Sequence, residues 1–228
     1  MTQATDLDRP TPGWGPLLTL LVMPLLVIVV VIKAIRPLSL SSTLALCLLL
    51  AVWDGVSLLY YSALAKIRAW PPLRDRFTPV SRNVLLIAIA AAIGMKSLLA
   101  GLAELLAAGG VVFQNPAANP LLATAPADLA ITMPIVVILG PIWEELLFRG
   151  VLIDRLRPHT SIGGAIFISS LLFALAHDNQ FALGMIGIMY FSGRFALGVG
   201  AALLALRYRS LMPAFLFHAA SNLLAELF

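Results

Sequence analysis

The chain has 228 residues, of which 61% are hydrophobic and 11% charged, with a mean hydropathy of +0.98. A soluble domain, whose apolar share is about half, is excluded, and the fold class is all-α, a polytopic transmembrane helical bundle. The net charge of +4 is accounted for by basic loops that set topology and touch anionic headgroups, so membrane lipids are partners and nucleic acid is not.

Crossing a hydrocarbon core of about 30 Å takes roughly 20 helical residues, and an open sheet edge is not tolerated in lipid. Seven segments qualify, near residues 13–35, 39–65, 83–108, 129–153, 161–178, 181–207 and 211–227. A break near Ser192, Gly193 and Arg194 would make the count eight. The first segment carries no charge between Arg9 and Lys33, which is too long for a signal-peptide core, and it is read as retained. The single cysteine, Cys47 in the second segment, allows neither a disulfide nor a Cys-based zinc site.

Residues 66–82 combine five basic side chains with Trp70, Pro71, Pro72 and Phe77, a mixture suited to anchoring along the headgroups. Residues 109–127 are almost chargeless and rich in Gly, Ala, Pro and Asn; they read as an apolar connector, with a mobile gate as the second reading. No repeat or polar linker divides the chain, so residues 1–228 form one integral membrane domain. Residues 1–127 supply the amino-terminal helices and 128–228 a motif-bearing core.

With a cytoplasmic amino terminus, that side collects Arg9, Lys66, Arg68, Arg74, Arg76, Arg82, Arg155, Arg157, Arg207 and Arg209, against Lys33 and Arg36 on the other. The asymmetry places the amino terminus inside. The expected location is a bacterial inner membrane.

Three strings place ionisable and amide groups in otherwise apolar segments: Glu144-Glu145-x-x-x-Arg149, Phe173-x-x-x-His177 and His218-x-x-x-Asn222. Such groups are costly at membrane depth unless paired, hydrated or used. Residues four apart share a helix face, so Glu145 and Arg149 can form an ion pair, while Glu144, about 100° away, is left for chemistry. Phe173 can pack on His177, and His218 and Asn222 share one face. A glutamate and a histidine can together activate water, and a histidine and an asparagine can donate to one oxyanion. That combination describes amide hydrolysis.

The order and spacing of these strings, with Phe148-Arg149-Gly150 and the run from Ser169 to His177, resemble the CPBP intramembrane proteases. That family includes the type II CAAX prenyl endopeptidases and bacteriocin-processing or self-immunity proteins. The resemblance covers roughly Asp128 to the end. It implies that Glu144 and His177 are the water-activating pair, that His218 and Asn222 stabilise the oxyanion, and that Glu145 and Arg149 support them. It also implies a membrane-associated or lipid-modified peptide or protein substrate.

Glu144, His177 and His218 can supply three ligands for a metal such as zinc, and the family is often called metalloprotease on that basis. Against a metal, the His-Glu-x-x-His helix is missing and a Glu and His pair can activate water alone. The metal-independent reading is preferred and both stay open. A non-catalytic scaffold or immunity protein, or a proton-relaying transporter, are the rival functions.

At about 1.5 Å per residue, Glu144, His177 and His218 fall at roughly 15, 24 and 11 Å from the cytoplasmic helix ends, so tilted or broken helices are needed for them to meet. Asp54, Lys96, Glu104 and Arg194 are expected to pair with one another or to snorkel, with Lys96 joined to Asp54 or Glu104. His159 belongs to no constellation and is read as exposed.

Overall fold

The computed structural model describes residues 13–35, 42–111, 126–177 and 184–227. Seven long helical stretches account for most of them, matching the seven apolar segments to within a few residues. These are α1 (Trp14–Ile35), α2 (Ser42–Arg68), α4 (Arg82–Ala108), a composite run over 126–156, α8 (Ile162–Leu175), α9 (Met185–Tyr208) and α10 (Met212–Leu227). A four-residue helix, α3 (Leu73–Arg76), lies in the loop between α2 and α4. The expected gate at 109–127 falls almost wholly on residues outside those described.

Five of these stretches are long and apolar enough to cross a bilayer; α8 and α10 are shorter. At 1.5 Å per residue, the 14 residues of α8 reach about 21 Å, less than the hydrocarbon thickness. The two short helices carry the histidine strings and pack against longer neighbours: α8 along α9, and α10 against α4 and α9. At the α8 to α9 contact, a Cβ on Gly198 would lie 2.9 Å from Ser170 Cβ, so only glycine lets the backbones approach this closely. No break interrupts α9 at Ser192 to Arg194.

The 126–156 run is not a uniform α-helix. Helices α5 (Pro126–Pro134), α6 (Gly140–Glu145) and α7 (Ile153–Leu156) are separated by π-helical turns at Ile135–Leu139 and Leu146–Leu152. The sequence explains the first departure. Gly140 N–H bonds Ile135 O five residues back, and Pro141 follows with no N–H to continue either ladder.

One end of the bundle is tied together by polar contacts between loops. Arg76 pairs with Asp154 at 2.5 Å, Leu211 N–H donates to Arg76 O, Ser210 Oγ donates to Thr78 O, and the Arg155 guanidinium lies over the Trp14 ring. Burial alone would lower the Arg76 pKa, but the Asp154 charge and the Tyr61 hydroxyl reverse this and hold it above its ordinary value. The same end therefore gathers the start of α1 and the basic loops at 66–82, 155–157 and 207–209.

The loop at 66–82 differs from the interfacial anchor expected of it. Trp70 is buried and packs on Tyr61, with ring centroids 6.0 Å apart, and the Tyr61 hydroxyl donates to Pro71 O. Leu73 and Phe77 also pack against the core, whereas Ile67 stays exposed, and the loop closes the bundle end. His159 is exposed, against Arg155.

Candidate active site

Glu144 and Glu145 occupy the end of α6, directly before the second π turn. Adjacent residues on a helix point about 100° apart, and the two carboxylates part accordingly. The Glu145 side chain is fully buried and its Oε1 takes Arg149 Nη1 at 2.9 Å, the ion pair expected from the i, i+4 spacing. The same oxygen lies 2.8 Å from His218 Nδ1. Glu144 instead keeps 27% of its side chain accessible, and so does His177 at 29%, against 3% for His218.

Glu144 Oε2 stands 3.8 Å from His177 Nε2 and 3.7 Å from His218 Nε2. These separations exceed a direct hydrogen bond, and this oxygen is enclosed without a hydrogen-bond partner among the described residues. Three groups from α6, the carboxyl end of α8 and α10 thus converge. The depth mismatch is absorbed by the broken 126–156 run and by the shortness of α8.

The tautomers follow from the partners. His177 Nδ1 lies 2.8 Å from the Phe173 carbonyl, which can only accept, so Nδ1 carries the proton and Nε2 of the neutral ring is an acceptor. A carboxylate oxygen and an unprotonated nitrogen facing each other repel unless a donor lies between them. A water donating one hydrogen to each satisfies both and leaves its lone pairs facing outward. His218 Nδ1 likewise donates to Glu145, so its Nε2 donates only when the ring is an imidazolium.

Phe173 is the packing hub. Its ring meets His177 at 4.7 Å, His218 edge-on at 5.5 Å and Phe148 edge-on at 5.3 Å, and the Arg149 guanidinium lies 4.4 Å from its centroid. Ser169 Oγ donates to Phe148 O and fastens α8 to the second π turn.

Asn222 is placed differently from the sequence expectation. In the π register the N–H that would serve Val136 O belongs to Pro141, which has none, and Asn222 Nδ2 donates to that orphaned carbonyl at 3.0 Å. One of its two amide hydrogens therefore holds α10 to the broken helix. Asn222 still borders the same cavity as Glu144, His177 and His218.

That cavity measures about 1040 Å³, with walls that also include Asp54, Lys96, Tyr190 and Arg194. Asp54 is buried and borders this cavity together with Lys96, while Glu104 is exposed on α4. The signal for Asp54 was present in the sequence as an acid in an apolar segment, but the helix it faces was not readable. Among the described residues no group of three His, Cys, Asp or Glu side chains is arranged to hold a metal ion.

Residues 126–224 match the Rce1-like family, type II CAAX prenyl endopeptidases. Over these residues the chain is similar to a family of CAAX proteases, hydrolases acting on peptide bonds, and the match supports a CPBP-type enzyme. No curated protein and no solved structure matches the chain.

Proposed function

We propose that the protein is an intramembrane endopeptidase in which Glu144 and His177 activate one water to attack a peptide carbonyl. The observation that carries this reading is the pair of acceptors, Glu144 Oε2 and His177 Nε2, held 3.8 Å apart on side chains that are only partly buried. Glu144 takes the proton as general base. His218, as imidazolium against Glu145, and the second N–H of Asn222 stabilise the developing oxyanion, and protonated Glu144 returns its proton to the leaving amine. Glu145, Arg149 and Phe173 orient the imidazoles.

The proposed substrate is a peptide segment of a membrane-associated or lipid-modified protein, entering the cavity from the basic, cytoplasmic end of the bundle in a bacterial inner membrane. No metal is required in this scheme, because the two acceptors already position the water. Purified wild type in proteoliposomes should cleave a farnesylated peptide ending in a CAAX sequence, and should do so after exhaustive chelation. Glu144→Gln should be inactive while still unfolding in one cooperative transition. Cleavage by Glu144→Gln at the wild-type rate would remove Glu144 from the reaction, and loss of activity on chelation with recovery on adding zinc would establish the metal alternative at the same three residues.

A further inference from the structure

Helix α2 lies outside the segment that carries the family match, yet it sends a buried carboxylate to the site. A Cβ built on Gly140 would lie 3.6 Å from Asp54 Oδ2, 3.9 Å from Glu144 Oε1 and 3.4 Å from Ile135 O. Ile135 O, Asp54 Oδ2 and Glu144 Oε1 therefore all border the space beside Gly140 Cα that a larger residue would fill. The two oxygens of Glu144 thus have separate surroundings: Oε2 meets the imidazoles and Oε1 meets the opening shared with Asp54.

We propose that Asp54 is a positioning residue for Glu144, acting through a water held in the Gly140 opening that donates one hydrogen to Asp54 Oδ2 and the other to Glu144 Oε1. A water has two hydrogens to offer, so both carboxylates are satisfied without direct contact between them. Anchored through Oε1, the Glu144 carboxylate cannot rotate Oε2 away from His177 and His218. The polar lining of three oxygens suits a buried water, which needs two to four polar partners. The other charged or titratable groups lining the cavity with Asp54 and Glu144 are Lys96 of α4, His177 after α8, Tyr190 and Arg194 of α9 and His218 of α10.

The effect on rate rests on the reaction proposed for Glu144, but the water bridge has its own readout. Gly140→Ala is the sharper probe. Its methyl group makes ordinary contacts at 3.4–3.9 Å and alanine is the better helix former, so the fold is retained while the water is displaced. On the farnesylated CAAX peptide, Gly140→Ala and Asp54→Asn should each lower kcat tenfold or more with KM within twofold of wild type. The double variant should be no slower than the slower single one. Thermal midpoints of Asp54→Asn, Glu144→Gln and their combination should fail to add, and should become additive in the Gly140→Ala background. Wild-type kcat in Gly140→Ala, or an additive thermal cycle with Gly140 present, would overturn the proposal. If Glu144→Gln remains active, the reaction scheme fails while the thermal cycle still decides the bridge.

Discussion

Helix α4 and the run at 130–156 are of equal length and both are apolar enough to cross a membrane, yet 11% of the most apolar stretch of α4 is buried within the protein against 44% for 130–156. On α4, Leu86, Leu98, Leu102 and Leu105 are exposed, presenting apolar groups to lipid. Along 141–153, almost every residue is enclosed by α2, α8, α9 and α10. Hydropathy is therefore the same signal for two different situations. One helix satisfies the lipid and little else, whereas the other has its side chains specified by neighbours, and only the second can hold a carboxylate in a fixed direction.

The comparison is tested most severely by Glu144→Gln, expected to reduce cleavage by about 10³-fold while the variant still folds and unfolds in one cooperative transition, because the residue is placed in the proposed reaction and not in the packing. Arg149→Met comes next. It leaves Glu145 buried beside His218 without its cation, a loss of about 3–5 kcal/mol, read as a large drop in thermal midpoint together with loss of activity. Gly198→Ala forces a methyl group against Ser170 Cβ at 2.9 Å and should cost about 1–3 kcal/mol, separating α8 from α9. Leu98→Ala, at a residue 77% exposed, should change stability by less than about 0.5 kcal/mol. A destabilisation by Leu98→Ala as large as that by Gly198→Ala would show that α4 is packed by a partner and end the contrast.

Much of the fold was legible because membrane crossing imposes length and composition directly, and the seven segments were placed to within a few residues. The Glu145 to Arg149 pair was legible for a similar reason, since i, i+4 spacing fixes contact on a helix. What was not legible required a second element. Asp54 faces the α6 carboxylate only because α2 packs on α6, and no pattern within residues 42–68 encodes that choice. Trp70 was read as a headgroup anchor from composition, but Tyr61 gives it a buried partner. Asn222 was grouped with His218 by spacing, whereas Pro141 creates the unsatisfied carbonyl that takes half of its amide. The π turns themselves left only a trace, the Gly140-Pro141 pair.

The central claim is that Glu144 Oε2 and His177 Nε2 are bridged by one water. An experimental density map of the protein in a lipid nanodisc, at a resolution that shows ordered water, tests it directly. The account predicts a single peak about 2.6–3.2 Å from both atoms, retained after chelation. A peak about 2.0–2.1 Å from Glu144, His177 and His218 together, with anomalous or elemental signal for zinc, would contradict it, as would side chains turned away from a common point.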